Sequence, residues 1–206
     1  MHQTRNETTM QLPIERKGTK YVVRASSHFR ESVPVLIAVR DMLKLARTAK
    51  EVGEMIKVKS LKLNGRIVLD YHEAIKLFGV FDADKRYVLT LLPSKRFTLV
   101  ENKKDTRLCK VVGKRLVKNG SIQINLHDGT NVITKDKIKI NDSVYVDFEN
   151  KIKKHISLEK GREVFVFSGK HMGMKGKIES MEGKKVMIKF DKEDMAKIDT
   201  SHVIAE

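Results

Sequence analysis

From Ser32 onward, Leu36, Val39, Leu43 and Ala46 recur at steps of three and four residues, with Arg40, Lys44 and Arg47 between them, which predicts an amphipathic helix with a basic flank. Thr48-Ala49-Lys50-Glu51 then sets a hydroxyl and a carboxylate three residues apart, so each can take an orphan backbone N–H of a second helix whose Val52 and Ile56 face inward. Leu61 to Leu69 carry apolar residues on both sides of Asn64-Gly65, a pair that supplies the two positive-φ residues of a tight hairpin. Ahead of these elements the chain offers one strand-like piece, Tyr21-Val22-Val23-Arg24, after the turn-prone Lys17-Gly18-Thr19. The first dozen residues are expected to be flexible in isolation.

Beyond Tyr87 the period falls to two. Strands are predicted over Tyr87 to Leu92, Arg96 to Val100, Leu108 to Val112, Ile122 to Leu126, Asn131 to Thr134 and Val144 to Phe148, separated by Pro93-Ser94, Asn119-Gly120 and His127-Asp128-Gly129. Short strands at this spacing suggest a small antiparallel barrel. The polar Asn150 to Lys154 run reads as a connection, after which Val164, Val166, Ile178, Val186, Ile188 and Phe190 alternate with polar neighbours as in a second small barrel. The predicted fold class is α+β. Its segments are an N-terminal extension at 1–31, a helix pair with hairpin at 32–92, a central antiparallel β domain at 93–157 and a terminal barrel at 158–206.

Charge narrows the picture. Lys and Arg number 42 against 26 Asp and Glu, a formal charge of +16 that repels itself unless a polyanion is near. No apolar run approaches the ~18 residues that span a bilayer, and Met1 to Met10 lack the apolar core of an export signal, so a cytoplasmic location without membrane attachment is expected. Cys109 is the single cysteine and reads as a buried apolar residue; no metal or other cofactor is expected.

Three constellations could carry chemistry. The helix pair and hairpin gather Arg40, Lys44, Arg47, Lys50, Lys57, Lys59, Lys62 and Arg66, which as a cluster can track a phosphate backbone. Between Val166 and Ile178, three glycines divide a segment holding Lys170, His171, Lys175 and Lys177, so the backbone can turn and come close to a ligand. That segment lacks the Ser or Thr of a nucleotide phosphate loop and runs into a strand. Third, Ile122, Ile124 and Leu126 alternate toward a glycine turn in which His127 precedes Asp128. Adjacent strand residues face opposite sides, and a turn-stabilising Asp is favoured over acid/base chemistry. The common nucleophile-elbow, zinc-hydrolase and dinucleotide fingerprints do not occur, so no catalytic residue and no small-molecule substrate is assigned.

Together these pieces resemble the S-four-e family of ribosomal proteins from about Leu12 to the C-terminus. The resemblance is carried by Ser32-Val33-Pro34 through Arg40-Asp41-Met42-Leu43, by Leu108-Cys109-Lys110 through Gly113-Lys114, and above all by Ile122-Gln123-Ile124-Asn125-Leu126-His127-Asp128-Gly129. It implies an S-four-type RNA-binding domain, a central β domain and a KOW-type SH3-like barrel whose motif looks like Gly169 to Lys177. It further implies a structural constituent of the small ribosomal subunit that binds ribosomal RNA, supports assembly and translation, and meets neighbouring small-subunit proteins. RNA contacts are then expected at Arg40, Lys44, Arg47, Lys50, Lys57, Lys62 and Arg66 in the first domain, and at Lys170, His171, Lys175 and Lys177 in the last. Two features depart from the family pattern: Met1 to Met10 are only weakly charged, and Gly79-Val80-Phe81-Asp82 lacks the usual Gly-Asp turn. The alternative is a free RNA-binding transcription or translation factor with a KOW domain. An RNA-modifying enzyme is disfavoured, because only two small β domains remain beyond the RNA-binding unit.

Overall fold

The computed structural model describes residues 1–117, 120–190 and 194–206, and the chain folds as two units, Met1–Lys104 and Asp105–Glu206. In the first, β1 (His2–Thr4) pairs antiparallel with β2 (Tyr21–Val23). The loop between them closes around Arg5, whose guanidinium donates to the Thr19 carbonyl at 2.7 Å, the Thr19 hydroxyl at 3.0 Å and the Glu15 carbonyl. The first dozen residues, expected to be flexible in isolation, here take part in a paired and hydrogen-bonded arrangement. One arginine fills the hydrogen-bonding groups of a loop with little apolar residue to bury.

The first predicted helix is shorter than its apolar spacing suggests. Ser32–Pro34 form β3, because a residue before proline is held extended; α1 (Val35–Ile37) then widens into a π-type turn over Ala38–Met42, in which the Leu43 N–H reaches the Ala38 carbonyl at 2.9 Å. Lys44 takes a left-handed φ of 57° and the Leu45 N–H bonds back to the Val39 carbonyl, which closes the helix before Ala46. The second helix, α2 (Ala49–Lys57), starts at the predicted cap: the Thr48 hydroxyl accepts the Glu51 N–H at 3.2 Å. The Glu51 carboxylate reaches back to the Thr48 hydroxyl and the Arg47 N–H.

The hairpin of β4 (Lys62–Leu63) and β5 (Arg66–Ile67) turns at Asn64 and Gly65, with φ of 50° and 80°. After β6 (Ala74–Lys76), which pairs with β3, come β7 (Val80–Asp82), β8 (Arg86–Leu91) and β9 (Phe97–Glu101), and the sheet runs in the order β5-β4-β7-β8-β9. Asn64 locks the hairpin to β7 by exchanging two bonds with Val80, each 2.8 Å. The β8–β9 hairpin spans residues 92 and 93, so this sheet continues to Glu101. Val33, Ile37, Val52, Leu61, Ile75 and Phe81 lie wholly buried in the unit's core.

The second unit holds two antiparallel sheets. Its first comprises β10 (Thr106–Leu116), β11 (Ile122–Leu126), β12 (Asn131–Thr134), β13 (Ser143–Asp147) and β14 (Ile152–Ile156), in the order β12-β11-β10-β13-β14. Asn119 of the predicted turn between β10 and β11 lies outside the described residues. The run from Asn150 to Lys154, predicted as a connection, instead enters β14, an edge strand whose Lys153, Lys154 and His155 are exposed while Ile156 is buried. Basic residues on an edge protect it from foreign pairing, and they also erase the alternation that marks a strand. The other sheet comprises β15 (Glu163–Val166), β16 (Lys175–Glu182), β17 (Lys185–Phe190), β18 (Met195–Asp199) and β19 (Val203–Ala205), ordered β18-β17-β16-β15-β19. Both predicted barrels are, in their strand pairing among the described residues, open five-stranded sheets. Among the same residues no helix is long and apolar enough to cross a membrane.

Lys110 ties these sheets together. Its side chain runs inward from β10 and is 2% exposed, and its Nζ donates to the Thr200 carbonyl at 2.6 Å and to the Val203 carbonyl. Ser143 Oγ accepts the Ala205 N–H at 2.9 Å, and the buried Asp142 carboxylate accepts the Leu158 N–H at 3.2 Å, so the same seam is stitched from β13. Burial pushes the Lys110 pKa down to about 8, against the pull of Asp199 and Asp142. A neutral amine has two N–H groups, which match the two carbonyls. Between pH 8 and the ordinary value of 10.5 the unfolded chain holds a proton that the folded chain has shed, so the Lys110 contribution to the unfolding free energy should rise with pH in that window, by at most about 1.4 kcal/mol per pH unit. Denaturant unfolding of wild type and Lys110→Met across pH 7.5 to 10.5 should show the wild type gaining stability relative to the variant as pH rises, other titrating groups being common to both; parallel curves would contradict it.

Candidate nucleic-acid interface

The break in the first helix shapes a groove in the first unit. Arg40, Lys44 and Arg47 line it from one side and the N-terminal loop, with Arg5, Lys17 and Tyr21, from the other, around a volume of about 910 Å³. Leu36, Val22 and Ala46 add apolar lining, and the acids Glu15 and Asp41 leave it with an excess of three positive charges, five cations less two carboxylates. Arg40 is half-buried and forks onto Asp41, Nε to Oδ1 at 3.0 Å and Nη2 to Oδ2 at 2.9 Å, and that pairing raises its pKa against the cost of burial. Lys44 and Arg47 are exposed. The result is a concave surface with fixed and movable cations, suited to phosphate oxygens.

The remaining predicted cations of this unit lie outside the groove lining. Lys50 and Lys57 sit seven residues apart on α2, hence on one face, and Lys57 pairs with Glu54 at 3.0 Å. Lys62 is exposed on β4. Arg66 on β5 binds Glu73, whose carboxylate also accepts the Leu69 and Asp70 N–H groups, so this arginine closes its own turn.

In the last sheet, Gly169 and Gly173 take φ of 90° and 84°, and Gly173 returns its N–H to the Val166 carbonyl at 2.8 Å. His171 stacks on the buried Phe190 with ring centroids 5.2 Å apart and an interplanar angle of 15°. Lys175 pairs with Glu206 and Lys177 lies 3.7 Å from Glu163, while Lys170 is exposed and without an ion pair among the described residues. A Cβ on Gly176 would sit 2.6 Å from both Ile188 Cγ2 and the Lys189 carbonyl, so only glycine lets β16 and β17 approach here.

Sequence reasoning missed Arg5 and Lys17, because the pairing that orders them joins strands of three residues. It also missed an exposed stack in which the Arg24 guanidinium lies 4.2 Å and that of Arg30 5.6 Å from the Phe29 ring centre. The turn at His127 and Asp128 has the structural role expected of it. Arg107, 3% exposed, donates to Asp128 Oδ2 at 2.9 Å, to Asn150 Oδ1 at 2.7 Å and to the Asp147 carbonyl at 3.3 Å. Burial alone would raise the Asp128 pKa, but the Thr130 hydroxyl and N–H, together with Arg107, hold it below the ordinary carboxylate value. His127 Nδ1 accepts the Lys110 N–H at 3.1 Å, and burial, then the nearby Asp128 charge, pushes the Cys109 thiol far above its ordinary pKa. Neither carboxylate nor thiol is set up to exchange protons with a substrate.

This network lies inside the stretch, residues 83–152, that matches the family model described as Ribosomal family S4e. The small ribosomal subunit protein eS4 of Archaeoglobus fulgidus is 33% identical over 187 residues, 87% of this chain and 80% of the relative. The chain belongs to the ribosomal S4e family. The eS4 protein of Methanocaldococcus jannaschii is likewise 33% identical, over 199 residues and 81% of its length. The crystal structure of the 30S ribosomal protein S4e from Thermoplasma acidophilum matches with a TM-score of 0.72 at 26% identity, covering 85% of this chain and 94% of that one. Within this S4e fold, Asp128→Asn should strand the buried Arg107 charge and lower stability by about 3–5 kcal/mol in urea unfolding. The double variant Arg107→Met/Asp128→Asn should lose less; a loss equal to the sum of the two single variants' losses would show that the two residues act independently.

Proposed function

We propose that the protein is a structural constituent of the small ribosomal subunit, binding its ribosomal RNA, supporting assembly and translation, and working in the cytoplasm without a catalytic role. The observation that carries this reading is the relationship to proteins named small ribosomal subunit protein eS4 over four-fifths of their length. Those names also disfavour the free transcription or translation factor. The groove supplies the physical means: cations replace the counterions of an RNA backbone, and the released ions drive association.

On this reading residues 32–92 are the S-four-type RNA-binding segment, behind an extension at 1–31, with β9 continuing its sheet. Residues 93–157 form the central β segment and 158–206 the KOW-type SH3-like barrel. Support for the barrel comes from the glycine-lysine loop and from the turn at Thr200–His202 that joins edge strands β18 and β19. Its partners are small-subunit ribosomal RNA and adjoining subunit proteins. Arg40, Lys44 and Arg47 are the principal RNA contacts of the first unit, seconded by Lys50, Lys57, Lys62 and Arg66, with Lys170, His171, Lys175 and Lys177 serving the last sheet.

Binding to a transcript of small-subunit ribosomal RNA, measured across a salt series, tests this. The triple variant Arg40→Gln/Lys44→Gln/Arg47→Gln should bind more weakly, and its slope of log affinity against log salt should be shallower by about 2 to 3, one phosphate contact per cation. An unchanged slope would remove the groove from the interface.

A further inference from the structure

A second concavity adjoins the groove of the first unit. Arg5, Lys17, Gly18 and Thr19, from the loop that forms the groove's N-terminal wall, also line this space of about 450 Å³, whose other lining residues include Arg16 and Lys20. Together the two concavities hold seven cations, the groove's five with Arg16 and Lys20, against the two carboxylates of Glu15 and Asp41. Glu7 lies near in sequence, but its carboxylate accepts the Thr4 N–H at 3.0 Å. Arg16, Lys17 and Lys20 are exposed and have no ion pair among the described residues. The loop that carries them is fixed in shape: Gly18 takes a φ of 139°, and a Cβ there would sit 2.9 Å from Nη2 of Arg5, which three acceptors hold in place.

Charge accounts for only part of this lining. The groove also has apolar walls, where Leu36, Val22 and Ala46 lie with Pro13 and Ile14. A phosphate oxygen gains nothing from such a surface, whereas the flat face of a base does. Tyr21 lines the groove as well and keeps 51% of its surface in solvent. His2 meets it edge-on, with ring centroids 4.9 Å apart at 72°, and Lys20 Nζ lies 5.4 Å from the ring centre. Strand β2 already buries Val22, so the core does not call for this ring. The groove's volume, about 910 Å³, falls in the range of ~300–1,000 Å³ typical of pockets that enclose small organic groups. A paired base presents only its edge, so a duplex could use the cations but not the apolar surface between them.

We propose that the groove and the concavity beside it form one track for an unpaired segment of RNA. A splayed base lies on the apolar surface against Tyr21, Lys44 and Arg47 take the phosphates next to it, and Arg16, Lys17 and Lys20 take those that follow across the loop. Cations along a backbone path, joined to an exposed aromatic ring, hold single strands in a way that tolerates many sequences. Arg5 fixes the loop and Asp41 fixes Arg40, so both act by positioning. The inference rests on the reading of the chain as a ribosomal RNA binder and deepens it, by giving the first unit's site to single-stranded rather than paired RNA.

The test uses the full chain with a small-subunit ribosomal RNA transcript, a single-stranded oligoadenylate, and the same oligomer paired with oligouridylate. Tyr21→Thr keeps a strand-favouring residue in β2, so it should melt at the wild-type temperature while affinity for the single strand and the transcript falls about tenfold. Its salt slope should stay unchanged, since no charge is removed, and its affinity for the duplex should match wild type. Arg16→Gln/Lys20→Gln should reduce the single-strand salt slope by about 1.4, at ~0.7 per cation. The chain contains no tryptophan, so Tyr21→Trp adds a single reporter whose fluorescence the single strand should quench by stacking and the duplex should not. Wild-type affinity in Tyr21→Thr together with a wild-type slope in the Arg16/Lys20 double variant would overturn the track while leaving the groove's cations standing. Equal quenching by duplex and single strand would overturn the assignment to unpaired RNA. A wild-type chain with no affinity for the transcript would overturn the proposed function along with it.

Discussion

Burial of the Lys110 side chain is the constraint on which the second unit depends. An amine taken out of water must be met by fixed acceptors, and the carbonyls of Thr200 and Val203 are available only when the final segment of the chain has come to rest against β10. Three residues earlier on the same strand, Arg107 makes an equivalent demand at the other end. It requires the β11–β12 turn through Asp128 and the β13–β14 turn through Asp147 and Asn150. Removing one partner of such a network costs more than the network contributes, which makes it a device for specifying one arrangement.

Charge in this chain therefore serves two purposes, and the net +16 does not measure the RNA interface. Arg107 and Lys110 are interior; Arg66, Lys175 and Lys177 are paired with carboxylates at the surface. Exposed pairs of that kind contribute little to stability and can be exchanged for phosphate contacts at small cost. What distinguishes the groove is that Arg40, Lys44 and Arg47 face Arg5 and Lys17 across a concavity, which gathers five cations against two carboxylates.

Much of the fold is legible in the residues where chemistry is local. Thr48 with Glu51 and Asn64 with Gly65 act within four residues, and their cap and turn lie where they were read. Cys109 and Asp128 likewise take the buried and turn-fixing roles that their neighbours imply. Tertiary effects explain the remainder. Apolar spacing from Leu36 to Ala46 records which side faces the core but is blind to the extended Pro34 and the left-handed Lys44 that shorten the helix. The Lys153-Lys154-His155 run hides an edge strand because its outward residues need not alternate. Lys110 reads as one more surface lysine, since nothing near it in sequence announces the carbonyls 90 residues away. The groove is half visible for the same reason: its helical wall is periodic, while its N-terminal wall is held by Arg5.

Sedimentation of native extract through a sucrose gradient, with mass-spectrometric detection of this chain before and after a high-salt wash, tests the central claim most directly. A ribosomal constituent held by several RNA contacts should comigrate with small subunits and stay with them through the wash, although salt weakens each phosphate contact steeply. Recovery of the chain only in the light soluble fractions would contradict that claim.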